Sequence, residues 1–327
     1  MLQVQTCNAL AFFTLATMKK AIKFILIGLV VVIVGAVALV LLRPNNTMPS
    51  AKVTKKWKDP ASTFLTWRGG QVHYTDEGKG QTVLMIHGFG GNYKNFQSLA
   101  EIMRDEYRVV RIDLPGFGLS DFPKEGYTDI NQTYTDYLQF IADTLHLDSI
   151  YVIGNSMGGA ITWNMAIQQP ELVQKIVLLN SAGYDVAKVA EKLAIFKFKS
   201  FGKVFEKGMP AFMSNSGLKK CYADLSKFDP SVAAMNNEIT NREGNVMHML
   251  GMASHVKFPD TALIQQVACP TLIIWGEQDQ IVPREHADRF KRDIKGSELV
   301  VFDPCGHVPM MERPEDTKRE VVRFFKQ

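Results

Sequence analysis

Residues 151–159 read YVIGNSMGG, and this stretch decides the fold. Its apolar start predicts a buried strand, and the segment AITWNM at 160–165 predicts a helix. Between them, Gly154-x-Ser156-x-Gly158 is the pattern of a nucleophile elbow, in which a serine on a sharp turn projects clear of a sheet. The two glycines lack the Cβ atoms that would clash where strand and helix approach closely. Ser156 is therefore a predicted nucleophile, and the alternative for so short a pattern is an ordinary turn.

Short apolar runs alternate with helical segments on both sides of this turn. A hairpin is predicted at 63–74, and buried strands are predicted at 82–86, 108–112, 150–153, 175–179, 271–275 and 298–302. This alternation predicts an α/β fold with a mostly parallel sheet and helices on both faces. About ninety residues between Leu179 and Thr271 instead read as helices. We expect them to form a cap at about 185–265, over the sheet edge where ligands bind.

Two further polar residues follow predicted strands in an order that matches the serine. Asp279 lies just past the strand at 271–275, and His307 lies past the strand at 298–302. The chain order Ser, Asp, His is that of one class of serine hydrolase. His307 can take the serine proton near neutral pH, and Asp279 can orient the imidazole. We expect the backbone N–H groups of Phe89 and Met157 to form the oxyanion hole.

Three other histidines and one aspartate are expected to have structural roles. The side chain of His87 is expected to shape the loop around Phe89 rather than to transfer protons. Asp113 is expected to make turn hydrogen bonds to the backbone, and His248 and His255 to be packed or solvated.

The cysteines show no spacing that would mark a metal or redox site. Cys7, Cys221, Cys269 and Cys305 include no Cys-x-x-Cys pair, although a disulfide among the last three stays open. We expect no metal and no cofactor. The charge distribution also argues against nucleic-acid binding: residues 59–327 carry 29 basic and 33 acidic side chains, a net charge of −4.

The other eight basic residues lie within residues 1–58, which form an N-terminal arm with an apolar centre. Residues 24–42 are uncharged and almost wholly aliphatic, which predicts a single transmembrane helix. A cleaved signal peptide is the rival, because 36–38 has a small-x-small form, but the apolar run continues to Leu42. We therefore expect a targeting region at 1–23, an anchor at 24–42, a basic tether at 43–60 and a catalytic domain at 61–327. Met18 is an alternative start of translation.

Five motifs together resemble the α/β-hydrolase superfamily, and the resemblance runs from about Thr63 to Gln327. They are HGFG at 87–90, DLPGFGLS at 113–120, GNSMGG at 154–159, WGEQD at 275–279 and GH at 306–307. The elbow and the ending GHVPMME are similar to those of cold-active bacterial lipases and membrane-anchored monoacylglycerol lipases. Resemblance to exported bacterial hydrolases implies a cytoplasmic N-terminus and an extracytoplasmic catalytic domain at the membrane.

This resemblance implies hydrolysis of carboxylic esters or lipids through an acyl-enzyme, with no cofactor. Serine at position 156 argues against epoxide hydrolases and haloalkane dehalogenases, which use aspartate as nucleophile. Carbon–carbon bond hydrolases of ring-cleavage products keep Ser-Asp-His and are the closest enzymatic alternative, although many carry a Gly-Pro-Gly oxyanion loop. A non-catalytic binding member of the fold is a further alternative. Neither the substrate's chain length nor the oligomeric state follows from the sequence.

The predicted cap contains one amphipathic segment. Phenylalanines at 198, 201 and 205 recur at helical spacing, with lysines at 192, 199 and 203 on another face. This helix either rests on lipid or buries its phenylalanines over the pocket. Both arrangements suit an acyl-chain substrate.

Overall fold

The structure is a computed structural model that describes residues 20–32, 34–35, 37–38, 42–126, 129–184, 205–255 and 260–327. The chain divides into two compact units, Met1–Asn45 and Asn46–Gln327. Most of the predicted targeting region at 1–23 lies outside the described residues. So does the predicted amphipathic segment of the cap, apart from Phe205.

The predicted membrane anchor is not found. Among the described residues, no helix combines the length and the apolar character needed to cross a membrane. The prediction of an anchor at 24–42, and the single-pass membrane location with an extracytoplasmic domain that depended on it, are therefore wrong.

The second unit is built on one eight-stranded sheet with the order β1-β2-β4-β3-β5-β6-β7-β8. The strands are β1 (Ser62–Trp67), β2 (Gly70–Glu77), β3 (Thr82–Ile86), β4 (Arg108–Ile112), β5 (Ile150–Asn155), β6 (Val173–Leu179), β7 (Thr271–Gly276) and β8 (Glu298–Phe302). Strands β3 to β8 pair in parallel, whereas β1 and β2 form an antiparallel hairpin that joins β4. The predicted hairpin and mostly parallel sheet are confirmed.

Helices and short 3₁₀ turns connect these strands, and the α-helices are numbered here from Ser50 onward. They are α1 (Ser50–Trp57), α2 (Gln97–Met103), α3 (Ile130–Thr144), α4 (Met157–Gln168), α5 (Ala211–Lys219), α6 (Pro230–Thr240), α7 (Asn245–His255), α8 (Glu285–Asp293), α9 (Pro309–Glu312) and α10 (Pro314–Phe325). The 3₁₀ turns are Tyr93–Phe96, Leu225–Lys227 and Thr261–Gln266.

The sheet is covered on both faces, because its central strands are apolar on both sides. One buried cluster contains Trp163 of α4 and Phe290 of α8, together with alternate residues of the strands. The opposite cluster contains Leu99 of α2 and Phe324 of α10. Both faces of β3, β5 and β7 are thus withdrawn from water, which is the usual setting of parallel strands.

The predicted basic tether at 43–60 contains a docked helix instead. Helix α1 buries Val53 in a cluster with Tyr93, Leu119, Met235 and Ile239. Trp57, one turn further on, packs against the same cluster and donates its indole N–H to Glu238 at 2.8 Å. Two apolar residues four positions apart are enough to give one face of a helix an apolar stripe.

Between β6 and β7 lies the insertion predicted as a cap. Its described residues form α5, α6, α7 and two 3₁₀ turns, without a strand among them. Chain connectivity places this insertion between the carboxyl end of β6 and the start of β7. It therefore begins at the sheet edge to which the three predicted triad residues belong.

Candidate active site

Ser156 occupies the sharp turn between β5 and α4. Its backbone has φ 56° and ψ −117°, a sparsely populated conformation for a residue with a side chain. Two close approaches explain the flanking glycines. A Cβ on Gly154 would lie 2.3 Å from the carbonyl oxygen of Gly158, and a Cβ on Gly158 would lie 2.1 Å from the carbonyl oxygen of Ile86. The predicted strand–turn–helix is therefore present, with α4 starting directly after the serine.

Asp279 and His307 are hydrogen-bonded partners. His307 Nδ1 lies 2.7 Å from Asp279 Oδ2, and both side chains are buried. The other carboxylate oxygen, Oδ1, accepts the backbone N–H groups of Ile281 at 2.7 Å and Val282 at 3.0 Å. These bonds fix the rotation of the carboxylate, so that Oδ2 faces the imidazole.

The loop that carries His307 is tied to the turn that carries Ser156. The side-chain amide of Asn155 donates to the carbonyl oxygens of both His307 and Leu179, at 3.0 Å each. On its other side, the N–H of His307 donates to the carbonyl of Cys221 at 2.7 Å. The residue next to the serine and a residue of the insertion thus hold the histidine backbone between them.

The predicted oxyanion donors flank Ser156. A Cβ on Gly88 would lie 3.0 Å from the Cβ of Ser156, so the loop after β3 passes directly beside the serine. Phe89 follows in that loop, and Met157 is the first residue of α4. Among the described residues, neither backbone N–H is bonded to a backbone carbonyl. The first N–H groups of a helix generally lack intrahelical partners, which suits the role predicted for Met157.

The side chain of His87 anchors the loop after β3 that carries Phe89. Its Nε2 accepts the N–H of Leu114 at 3.0 Å, which leaves the proton on Nδ1, 2.8 Å from the carbonyl oxygen of Gly88. Burial lowers the pKa of His87 and outweighs the opposing effect of the Asp113 carboxylate. The ring is thus neutral and locked by two backbone bonds, in agreement with a role in shaping the loop.

Asp113 has more partners than the predicted turn contacts. It accepts the N–H of Leu119 at 2.9 Å, and also the N–H of Tyr93 and Nδ1 of His73, each at 2.7 Å. Burial alone would raise the pKa of this carboxyl, but the hydrogen bond and charge of His73 lower it. The sequence offers no spacing that pairs His73 with Asp113, because the contact arises from β2 lying beside β4.

Two buried side chains for which the sequence predicts no role also belong to the site. Asn180, directly after β6, donates to Asp279 Oδ2 at 2.7 Å. Glu312 of α9 accepts the N–H of Gly306 at 2.8 Å and the N–H of Asp224 at 2.7 Å. The position of Asn180 at the end of a central strand is a clue that sequence alone provides. Glu312 ends the GHVPMME stretch, but that pattern does not predict its bonds to the insertion, because Asp224 is distant in the chain.

Aromatic and apolar side chains surround the entrance. Phe117 makes edge contacts with Phe89 and His248, at ring-centroid distances of 5.7 and 5.6 Å. Burial lowers the pKa of His248 to about 4, so this ring is neutral near pH 7, as expected of a packed histidine. Beside Met157, a shallow groove runs between α3 and α4 and is lined mainly by apolar residues, among them Tyr134 and Ile161.

The described residues include no cluster of three or more histidine, cysteine, aspartate or glutamate side chains arranged to hold a metal ion. Cys221, Cys269 and Cys305 are free thiols in the structure, so the disulfide left open by the sequence is not formed among them.

A family model described as alpha/beta hydrolase fold matches residues 81–314, which contain Ser156, Asp279 and His307. The chain belongs to the α/β-hydrolase family. The family resemblance predicted from the five motifs is thereby confirmed.

Relatives of this α/β-hydrolase include lipases and hydrolases of hexadienoic acids. Lipase 1 of Psychrobacter immobilis is 30% identical over 290 residues, covering 86% of this chain and 89% of the lipase. The 2-hydroxy-6-oxo-6-(2'-aminophenyl)hexa-2,4-dienoic acid hydrolase of Metapseudomonas resinovorans is 30% identical over 267 residues, covering 80% and 90%. Among solved structures, an esterase from Thermogutta terrifontis superposes with a TM-score of 0.69 at 25% identity, covering 81% and 98%. These likenesses identify a hydrolase and leave ester and carbon–carbon bond hydrolysis as its two candidate reactions.

Proposed function

We propose that this α/β-hydrolase cleaves carboxylic esters with Ser156 as nucleophile, His307 as general base and Asp279 as the group that orients the histidine. One observation carries the proposal. His307 is bonded to a carboxylate with fixed rotation, while its backbone is tied to Asn155, the neighbour of Ser156. That arrangement suits an imidazole that must take a proton from the serine in a defined tautomer.

The reaction would proceed through an acyl-enzyme. Ser156 Oγ attacks the ester carbonyl as His307 Nε2 takes its proton, and the oxyanion receives the N–H groups of Phe89 and Met157. The imidazolium then protonates the departing alkoxide, which leaves as the alcohol. A water molecule, deprotonated by the same histidine, cleaves the acyl-enzyme and regenerates the serine. No cofactor takes part in these steps.

The described surroundings favour an apolar acyl group, as in a lipase or monoacylglycerol lipase. The groove beside Met157 offers mostly aliphatic and aromatic side chains, and Phe89 is about two-fifths exposed at the entrance. Burial of an acyl chain would contribute roughly 0.8 kcal/mol per methylene. We take residues 61–327 as the catalytic domain and about 185–265 as its cap, which would close over this chain.

Hydrolysis of carbon–carbon bonds in ring-cleavage products is the second candidate, because a dienoic acid hydrolase is among the relatives. Such a substrate carries a carboxylate, which enzymes usually bind with arginine or lysine. Among the described residues of the insertion, the buried Arg242 pairs with Asp121 at 2.5 Å and with the carbonyl of Ser120 at 3.2 Å. The two reactions are therefore separated by direct assay.

The test is hydrolysis of p-nitrophenyl esters from acetate to palmitate, of a monoacylglycerol and of a 2-hydroxy-6-oxo-dienoate, with Ser156→Ala as control. The proposal expects esters to be cleaved, with a preference for medium or long chains, and Ser156→Ala to be inactive. Turnover of the dienoate alone would favour the second candidate. No turnover and no labelling of Ser156 by a fluorophosphonate would indicate a binding protein.

A further inference from the structure

The side-chain amide of Asn180 reaches both Asp279 and the loop of His307. Its Nδ2 lies 2.7 Å from Asp279 Oδ2, the same oxygen that faces His307 Nδ1. The same Nδ2 lies 3.3 Å from the carbonyl oxygen of Gly306, directly before His307. With the two backbone bonds to Oδ1, the Asp279 carboxylate has four N–H partners, which matches its capacity as an ionised acceptor.

Asn180 holds this position at a cost in stability. Its backbone has φ 46°, a left-handed conformation that asparagine tolerates better than most residues with a side chain. Its side chain is fully buried, and Oδ1 has no hydrogen-bond partner among the described residues. An unsatisfied buried oxygen and a strained backbone are both unfavourable, and such features concentrate at functional sites. The bond to Asp279 offsets these two unfavourable features and explains why an asparagine occupies this position.

The main chain explains how the side chain is aimed. The N–H of Asn180 donates to the carbonyl of Ile274 at 3.0 Å, which extends the pairing of β6 with β7 by one residue. The left-handed turn then ends the strand and directs the side chain towards the loop after β7, where Asp279 lies. Strand pairing therefore sets the spacing between the amide and the carboxylate.

We propose that Asn180 is a positioning residue for the reaction of Ser156: its amide holds Asp279 Oδ2 against His307 and fixes the loop at Gly306. This inference rests on the proposed function, because it assigns a role relative to the same nucleophile and base. Asn180 does not touch substrate and acts only through Asp279 and His307.

Few other ionisable groups would confuse a test of this role. The thiols of Cys221 and Cys305 are near enough to Asp279 to feel its charge. Burial raises the pKa of Cys221 to about 12 and raises that of Cys305 as well, so both thiols stay neutral between pH 5 and 9. Glu312 faces Gly306 from α9, where its oxygens accept backbone N–H groups. These groups therefore do not titrate in that range to produce a change in the pH profile of a variant at 180.

Two substitutions separate positioning from packing. Asn180→Leu keeps a similar volume and removes the donor. It should lower kcat for a p-nitrophenyl ester by about 10- to 100-fold, the range expected for a lost hydrogen bond to a charged group, while KM changes less than about threefold. Asn180→Asp is nearly isosteric and adds a carboxyl beside Asp279. It should move the acid limb of the kcat/KM profile to higher pH by about one unit, because added negative charge favours the imidazolium.

The rate of Ser156 labelling by a fluorophosphonate is measured for the same proteins, since it reports activation of the serine without depending on the natural substrate. Asn241→Ala is the matched control: Asn241 is also buried, but its amide bonds go to Met209 and Asn237. That variant should lower Tm and leave the pH profile in place.

The outcomes distinguish the positioning role of Asn180 from the proposed ester hydrolysis by Ser156. Slower labelling and lower kcat in Asn180→Leu, with the shifted acid limb in Asn180→Asp, support the positioning role. Variants with wild-type kcat, labelling rate and pH profile but a lower Tm would overturn it and leave the proposed function intact. Failure of the wild-type protein to be labelled or to cleave esters would overturn the proposed function itself. If Asn180→Leu does not fold, the pH profile of the near-isosteric Asn180→Asp decides.

Discussion

Replacing Glu312 by glutamine should destabilise the protein far more than a surface Glu→Gln change. Glu312 is about 4% exposed, and its two oxygens accept N–H groups from two parts of the chain that are distant in sequence. Oε2 accepts the N–H of Gly306 at 2.8 Å, and Oε1 accepts the N–H of Asp224 at 2.7 Å. Ala223 N–H lies 3.1 and 3.3 Å from the two oxygens. The carboxylate thus joins the insertion to the loop before His307.

The magnitude follows from the chemistry of the amide. Glutamine has an NH₂ group in place of one carboxylate oxygen. This group cannot accept the N–H that the replaced oxygen accepted, whether that of Gly306 or that of Asp224. One hydrogen bond to a charged acceptor is lost, and one buried N–H then faces another donor. Hydrogen bonds to charged groups contribute about 1.5–3 kcal/mol, and an unsatisfied buried donor costs about 1–3 kcal/mol. We therefore expect Glu312→Gln to lower the free energy of unfolding by about 2–4 kcal/mol.

The assay is urea denaturation at pH 7, followed by circular dichroism, with kcat measured on the same samples. Glu315→Gln is the control, because Glu315 is an exposed residue in the first turn of α10. Loss of its charge there should cost no more than about 0.5 kcal/mol. We also expect kcat to fall in Glu312→Gln, because the loop before His307 loses its anchor. A change below about 0.5 kcal/mol, equal to that of the control, would refute the reasoning.

Three further predictions concern other parts of the site. His248 has a pKa of about 4 when folded and about 6.5 when unfolded, so the unfolded state binds more protons between these values and stability falls as pH decreases through that window. Urea titrations at a series of pH values should show that protonation of His248 lowers the free energy of unfolding by about 3 kcal/mol across this window. His248→Gln should reduce this dependence of unfolding free energy on pH, and an unchanged dependence would contradict the assignment. Ile161→Trp fills the groove and should shift the preferred ester by two or more carbons towards shorter chains, whereas Ile167→Trp, on the same helix outside the groove, should not; equal chain-length profiles would exclude the groove as an acyl site. Gly158→Ala should lower both Tm and kcat by forcing a Cβ against a carbonyl oxygen of β3, whereas Gly217→Ala, in open space on α5, should be neutral or stabilising by up to about 1 kcal/mol; a wild-type Tm for Gly158→Ala would refute the clash.

Strands, their order along the chain and the strand ends that carry the site follow from local patterns. Apolar runs bounded by turn residues predict buried strands, and parallel strands bring their carboxyl ends to one edge. For that reason Ser156, Asp279 and His307 could be expected near one another, and the bond between Asp279 and His307 agrees with that expectation. The sharp turn at Ser156 follows from the close approach that only glycine permits at 154 and 158.

Other features depend on contacts between distant segments, which leave no local pattern. Helix α1 looks polar because only one of its faces is apolar, and its docking depends on Tyr93 and α6. Buried polar side chains are harder to predict than the docking of α1, because a glutamate or asparagine is expected at the surface until its partners are known. Asn180 and Glu312 are such cases. The predicted anchor at 24–42 is a different case: it rested on apolar composition, and no helix among the described residues is long and apolar enough to cross a membrane.

The contacts of the insertion indicate that it is part of the site rather than a separate cover. The carbonyl of Cys221 accepts the N–H of His307, and the N–H groups of Ala223 and Asp224 share the carboxylate of Glu312 with that of Gly306. Near the other end of the insertion, a Cβ on Gly90 would lie 3.6 Å from Met249, so the oxyanion loop also borders it. A change in how the insertion packs would therefore move both the base and the oxyanion donors. Exchanging the insertion for that of a relative should preserve activity only if the residues at 221–224 continue to present their carbonyl and N–H groups to His307 and Glu312.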